Sequence, residues 1–282
     1  MAGKQDRGAL LLGALLLGGL AWWAFKPAGP APRPAPAPAA TPAPTAVVAA
    51  LSPTPVTVAP PAGPLLAICI DDWGYLVVPV RRLDSGLKFP LTTAILPNLP
   101  YSVAAAEASY AAGHEVILHC PVQSVKSIGR EKGTLLVGMS AQQAHDLVAG
   151  HWASVPHLVG MNNHEGSAGS ADRALMDGAA QFLKEKGAYF LDSVTTPKSV
   201  IPQAAKAAGV PWARRRVFLD NVDSVAAVTA QFKLAVASAR KNGSCIAIGH
   251  PRKATLDVLE KLAPQLEAQG VHLVKVSALV HP

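Results

Sequence analysis

Residues able to do chemistry recur along this chain just behind apolar runs. Leu65–Ile70 is followed at once by Asp71 and Asp72. The run at 115–120 carries His119, and the run at 158–162 leads into Asn162, Asn163 and His164, then Gly166. Later runs end in Asp192-Ser193, in Asp220-Asn221 and in Gly249-His250-Pro251. A buried strand that finishes on charge needs a reason, and in parallel α/β folds strand C-termini open into one shared site. Six such ends would collect carboxylates, imidazoles and amides on one face.

That mixture suits a divalent cation. Catalytic zinc takes three protein ligands from His and Asp/Glu and keeps a position for water or substrate. Neighbouring strand residues point to opposite sides, so one aspartate of the pair can ligate while the other handles protons. A Mg²⁺ phosphotransfer site would prefer carboxylates to imidazoles, and the chain has no P-loop or dinucleotide fingerprint. The donor set therefore points to hydrolysis. Structural roles compete at several positions. Asp192 and Asp220 would equally suit helix caps, His119 a hydrogen-bonded core histidine, and Asn162-Asn163 a turn. His164, two residues before Gly166, and His250, between Gly249 and Pro251, are harder to explain structurally. The remaining histidines show no convergence.

The elements that must position these groups alternate. Strands are expected at Leu65–Ile70, Leu91–Leu96, Glu115–Cys120, Leu158–Asn162, Ala188–Leu191, Arg216–Leu219, Cys245–Ile248 and Val271–Val276. Helices are expected at Tyr101–Ala112, Ala141–Ser154, Ala171–Lys186, Val222–Lys241 and Thr255–Gln269, most of them stopped by glycine. The pattern predicts an α/β fold with covering helices: an irregular (β/α) barrel of about seven to eight mainly parallel strands. Pro121–Val137 breaks the rhythm and is expected to lie over the active-site face as a substrate-contacting loop.

The ends of the chain are organised differently. Gly8–Phe25 is uncharged and apolar, preceded by Lys4 and Arg7 and closed by Trp22, Trp23 and Phe25. Residues 1–26 therefore read as an N-terminal membrane anchor or a signal peptide. Residues 27–64 are a Pro/Ala-rich tether with Arg33 as its one charge, too poor in large apolar residues for a core. Residues 65–282 form the folded domain. The expected location is the cell envelope, with the domain in the periplasm, either anchored to the cytoplasmic membrane or secreted. Of the net charge of +7, the first 64 residues supply +3, through Lys4, Arg7, Lys26 and Arg33 against Asp6. The domain itself has no basic stripe, and no nucleic-acid partner is expected. Cys69, Cys120 and Cys245 sit in apolar runs without C-x-x-C spacing, as core thiols do. Nothing in the chain sets an oligomeric state.

The runs Ile70-Asp71-Asp72-x-Gly74, Asn162-Asn163-His164-x-Gly166-Ser167, Phe190-Leu191-Asp192-Ser193, Val217-Phe218-Leu219-Asp220-Asn221 and Ala247-Ile248-Gly249-His250-Pro251 resemble, in order, the divergent polysaccharide deacetylase family. This is a remote branch of the NodB-type carbohydrate esterases. The resemblance implies an irregular (β/α) barrel and a metal, most often zinc, with Asp71 as base and Asp72 as ligand. Gly113-His114-Glu115-Val116-Ile117-Leu118-His119 matches the start of the esterases' second motif, making His119 a ligand. Four residues on, where those enzymes have another histidine, this chain has Gln123. His164 is then expected to supply the third ligand, and His250 to serve as acid or, alternatively, as a ligand. Asn162, Asn163, Asp192, Ser193, Asp220 and Gln123 are expected to contact substrate or support the ligands. The implied activity is metal-dependent deacetylation of an N- or O-acetylated envelope glycan. The alternative is an inactive deacetylase fold that binds glycan or an envelope protein.

Overall fold

A computed structural model describes residues 62–126 and 131–282. The expected anchor at 1–26 and the tether, apart from residues 62–64, lie outside the described residues. Among the described residues no helix is long and apolar enough to cross a membrane.

Strands and helices alternate as β1 (Leu65–Trp73), α1 (Val77–Ser85), β2 (Thr92–Ile95), α2 (Ser102–Ala111), β3 (Glu115–Val122), α3 (Ala141–Trp152), β4 (Leu158–Glu165), α4 (Arg173–Lys186), β5 (Tyr189–Asp192), α5 (Ile201–Ala208), β6 (Trp212–Arg214), β7 (Val217–Phe218), α6 (Val225–Asn242), β8 (Ser244–Gly249), α7 (Lys253–Leu262) and β9 (His272–Val274). Among the described residues the strands pair in parallel, in the order β6-β5-β4-β3-β2-β1-β8-β7, and an isolated antiparallel bridge joins Trp212 of β6 to His281. One edge of β1 serves β8 over Leu65–Ile70. The other is shared, β9 pairing with Leu65–Ala67 and β2 from Cys69 onward.

The two ends of the strand order, β6 and β7, are joined only by Arg215 and Arg216. The Arg215 N–H donates to Asp192 O on the β5 side, and the Arg216 N–H to Ile246 O on β8. The chain itself crosses the seam, which is the irregularity of this (β/α) barrel.

Two cores flank the sheet. The larger lies under the helices and takes Leu66, Ile68 and Ile70 from β1 with Leu118, Met161 and Phe190. The smaller fills the barrel and takes the alternate residues Ala67 and Cys69, with Ala94, Ile117, Leu191 and Ile248. Its small side chains suit a narrow interior. One end of that interior is closed by Glu115, whose Oε1 accepts from the Tyr189 hydroxyl at 2.7 Å, the Thr92 hydroxyl at 2.9 Å and the Ser277 N–H at 3.2 Å. Glu115 stands at the start of β3 and His119 four residues along it, so the open end lies at the strand C-termini. The three cysteines are free and buried.

The expected strands all form, with shifted ends. The helix expected over Thr255–Gln269 stops at Leu262, because Pro264 cannot continue it, and short 3₁₀ turns follow. The sequence reading omitted α1, α5 and β6. Helix α1 has Leu76 as its N-cap, which makes no side-chain cap, and no acidic residue in its first turn, so the usual start signals are missing. Strand β6 is three residues long, too short for alternation to show.

Candidate metal centre and cleft

Asp71 and Asp72 end β1, but strand alternation does not place both. Asp71 follows Ala67 and Cys69 into the barrel. Asp72 would by the same rule turn out toward the helices. Instead the register slips between Ile70 and Trp73 and Asp72 adopts φ 58°, a left-handed conformation uncommon outside glycine that aspartate tolerates better than most. The bulge carries the Asp72 carboxylate back over the barrel mouth, beside β3 and β4.

Three atoms meet there. Asp72 Oδ1 lies 3.1 Å from His119 Nε2 and 2.9 Å from His164 Nδ1, and those two nitrogens are 3.1 Å apart. Asp72 Oδ1 is buried and has no hydrogen-bond partner outside this triangle. A buried carboxylate oxygen facing two imidazole nitrogens is costly unless positive charge, a ring proton or a cation, sits among them. Tetrahedral zinc with bonds of about 2.0–2.1 Å holds its ligand atoms about 3.3 Å apart. The observed triangle is close to one face of such a site. Among the described residues this is the one cluster of His, Cys, Asp and Glu able to hold a metal ion.

Partners on the far side of each ring set its tautomer. His119 Nδ1 faces Asn162 Oδ1 at 2.7 Å, and Asn162 Nδ2 donates to Asp71 Oδ1 at 2.8 Å. An amide oxygen only accepts, so His119 carries a proton on Nδ1, and its Nε2 is the nitrogen that faces Asp72. His164 Nε2 lies 3.4 Å from Glu131 Oε2, which leaves Nδ1 for the cluster. Such partners orient metal-binding histidines. Asn162 belongs to this arrangement because the register of β3 and β4 sets it beside His119, and β4 runs on past its expected end at Asn162 to Glu165, carrying His164 with it.

The charges are strongly coupled. Burial raises the Asp71 carboxyl, partly offset by His119 and His250. Burial would also raise Asp72, but the two imidazoles beside it outweigh that and hold it well below the usual carboxylate range. Burial opposes charge on His119, yet Asp71 and Asp72 push it up to about 9.

His250 reaches the opposite side of Asp72, its Nε2 3.7 Å from Asp72 Oδ2. Its Nδ1 lies 2.9 Å from Asp220 Oδ1. Burial disfavours the charged ring, but Asp220 and Asp72 prevail and raise its pKa. Asp220 is fully buried and also accepts from the Thr255 hydroxyl at 2.8 Å, so its carboxylate acts on the cleft through His250.

The other expected residues divide. Asn163 and Ser193 line a cavity of about 380 Å³ with Asp71, His119, His164 and His250. They also bind each other, Asn163 Oδ1 accepting from the Ser193 N–H at 3.0 Å. Asp192 is buried away from the cavity. Its oxygens accept from the Val194 N–H at 2.8 Å and Arg214 Nε at 3.0 Å, which braces Val194 at φ 52°, a strained value for a β-branched residue. Gln123 is not at the metal cluster: its side chain accepts from the Val137 N–H at 2.9 Å, and its carbonyl from the Ala168 and Gly169 N–H groups. It fastens the two ends of the Pro121–Val137 segment and the loop after β4.

Two cleft residues escaped the sequence reading. Arg215 lines the cavity and donates to Ser193 O at 2.7 Å and Val194 O at 2.9 Å. Its signal was the run Arg214-Arg215-Arg216 between two short strands. Glu131 lies in the segment expected to cover the site, where no spacing singled it out. A larger cavity of about 580 Å³ between α1 and α2 has only Lys88 and Lys275 as charged lining groups and no catalytic set.

Residues 68–280 match the divergent polysaccharide deacetylases. The chain belongs to that family. An uncharacterized protein of Haemophilus influenzae Rd is 42% identical over 195 residues, covering 69% of each chain. The uncharacterized protein YibQ of Escherichia coli K12 is 37% identical over 218 residues, covering 77% of this chain and 67% of its own. An uncharacterized protein from Agrobacterium tumefaciens C58 shares the fold, with a TM-score of 0.72 at 22% identity over 77% of this chain and 89% of that one. The irregular barrel is thus the fold of this family, and the Asp72–His119–His164 triangle sits at its open end.

Proposed function

We propose that the protein is a metal-dependent deacetylase acting on an N- or O-acetylated glycan of the cell envelope. The observation that carries this reading is the triangle of the buried Asp72 Oδ1 with two imidazole nitrogens, with Asp71 and His250 beside it. Asp72, His119 and His164 would hold the cation, most suitably zinc given two nitrogen donors and one oxygen. When bound, a cation polarises a carbonyl and makes water a better nucleophile at neutral pH.

The chain's own residues supply the proton chemistry. Asp71 Oδ1 is taken by the Asn162 amide at 2.8 Å and the Cys69 thiol at 3.4 Å. Its Oδ2 is left to accept the proton of the attacking water. His250 holds a proton on Nδ1 against Asp220, and its raised pKa favours a second proton on Nε2. That proton goes to the departing amine or alkoxide as the acyl carbon–heteroatom bond breaks. Asn163, Ser193 and Arg215 line the acyl side and orient the substrate.

The N-terminal segment, by its composition, would hold this domain at the outer face of the cytoplasmic membrane or direct its export. The rival reading is a deacetylase fold that binds glycan without turnover, since fold does not fix activity. Gln123 in place of a histidine favours the rival, and His164 in the cluster answers it. The test is acetate release from acetylated glycans by the zinc-loaded protein, before and after chelation. Release that stops on chelation and returns with zinc supports the reading. A purified protein that neither retains nor takes up zinc refutes it.

A further inference from the structure

No spacing in the chain singles out His151, yet this residue of α3 is buried and both its ring nitrogens are engaged. Nε2 lies 2.8 Å from Gly133 O, and Nδ1 lies 3.2 Å from Asn98 Nδ2. A carbonyl only accepts, so Nε2 carries the proton and Nδ1 accepts from the Asn98 amide. Burial holds the His151 pKa below its ordinary value, which keeps the ring neutral and Nδ1 an acceptor. Gly133 and Asn98 belong to different segments, one after β3 and one between β2 and α2. From both, the contacts run on into a closed ring. Two residues before Gly133, Glu131 Oε1 accepts from the Tyr75 hydroxyl, and the Thr134 hydroxyl donates to Glu131 O at 2.7 Å. Beside Tyr75, the Gly74 carbonyl accepts from the Tyr101 N–H at 3.0 Å, which leads back to the loop that carries Asn98. The fit at Gly133 is close: a Cβ there would lie 2.6 Å from His151 Cε1. The ring of contacts reaches the cluster at Glu131 Oε2, 3.4 Å from His164 Nε2.

We propose that His151 is a positioning residue for the metal centre: it fixes Gly133, the turn so fixed presents Glu131, and Glu131 aims the His164 ring so that Nδ1 completes the triangle with Asp72 and His119. The inference rests on the metal reading of that triangle. The His151 ring bonds Gly133 and Asn98, not the ligands, so it acts through Glu131. A carboxylate behind a metal-binding imidazole sets which nitrogen faces the metal. Glutamate has much rotamer freedom to lose, and on a segment without periodic structure its backbone must be held before its carboxylate can aim anything. His151 and Thr134 hold that backbone, and the Tyr75 hydroxyl holds the carboxylate.

The test is a zinc competition titration on the full chain, arranged as a double-mutant cycle. His151→Phe keeps a ring of similar size and loses both hydrogen bonds, and zinc affinity is expected to fall about tenfold, the lower end of what orienting partners cost. His151→Gln, whose amide can still donate to Gly133 O, is expected to recover most of that loss. Glu131→Ala should lose at least as much by itself, and adding His151→Phe to it should change little, because the two residues act in series. If His151→Phe does not fold, Gly133→Ala takes its place in the cycle, since the added Cβ must displace the His151 ring. Wild-type affinity in the single variant, or the same loss with and without Glu131, overturns the proposal. A wild type that takes up no zinc sinks the metal reading instead. The role of His151 is then decided on the metal-free protein by imidazole-nitrogen NMR. The His164 proton is expected on Nε2 in the wild type and in His151→Gln, and is expected to leave that position in His151→Phe. A His164 tautomer that ignores His151→Phe overturns the proposal there as well.

Discussion

Asp220 holds His250 at two points: Oδ1 lies 2.9 Å from the ring Nδ1, and Oδ2 accepts the backbone N–H of the same residue at 2.7 Å. One carboxylate thus sets both the tautomer of the ring and the path of the chain that carries it. Asp220→Asn removes the charge that raises the His250 pKa, and it allows the amide NH₂ to face Nδ1, which would move the ring proton to Nε2 in the neutral form. We expect turnover on an acetylated glycan to fall by about 10²–10⁴, with zinc affinity unchanged because Asp220 touches none of the cluster. Kinetics alongside a zinc titration check this. Turnover within about twofold of wild type would remove His250 from the acid role.

The amide of Asn162 links the cluster to Asp71, and neither contact can be made by a hydrocarbon side chain. Asn162→Leu leaves His119 Nδ1 without an acceptor and Asp71 Oδ1 without its amide donor. Loss of such a partner typically costs about 10–100-fold in metal affinity. We expect a loss of that size in a competition titration with a chromogenic chelator. Buried polar groups left unpaired also cost about 1–3 kcal/mol each, so the metal-free variant should melt lower as well. Asn162→Leu with wild-type zinc affinity would mean that His119 is oriented by packing alone.

How much of this was legible in the chain depends on the range of the signal. Leu65–Ile70 and its neighbours are uninterrupted apolar runs, and the polar residues behind them mark one end of a parallel sheet. Candidates for a site at that end, Asp71, Asp72, His119, His164 and His250, could therefore be picked out without coordinates. The left-handed turn at Asp72 could not be read, because aspartate carries no signature for φ 58°. Strand alternation alone would have separated the two carboxylates that the bulge brings together. Asp192 looked like Asp220 in sequence, yet one braces Val194 and the other holds His250. Which of the two faces a histidine depends on strand order, with β7 beside β8 and β5 beside β6. Glu131 and Arg215 come from a long loop and from the barrel seam, where no periodicity constrains the side chain.

Two glycines in neighbouring helices should respond in opposite ways to the same substitution. A Cβ on Gly178 in α4 would lie 2.1 Å from the carbonyl oxygen of Ala141 at the start of α3. The obstacle is backbone, so the helices must separate, and Gly178→Ala should destabilise the fold by about 1–3 kcal/mol or more. A Cβ on Gly150 in α3 would meet nothing within 4 Å. There alanine improves helix propensity, and Gly150→Ala should stabilise by about 0.5–1 kcal/mol. Urea unfolding of both variants checks the pair. A stable Gly178→Ala would show that α3 and α4 have room to part.

Metal affinity should depend steeply on pH, because the proton raised to about 9 on His119 occupies the nitrogen that faces Asp72. In the metal-free protein the proton substitutes for the missing positive charge, and a cation must displace it from Nε2. Below about pH 9, then, each binding event releases one proton from His119, and affinity should rise about tenfold per pH unit before levelling off. The metal-free fold should show the opposite trend. The folded-state pKa of His119 lies above the ordinary value of about 6.5. Its contribution to stability is therefore complete below pH 6.5 and is lost as the pH climbs through about 9. Zinc affinity measured by competition at pH 6, 7 and 8, and metal-free melting over pH 6 to 9, test the two slopes. Affinity independent of pH between 6 and 8 would mean that no proton is displaced, and that His119 is not among the ligands.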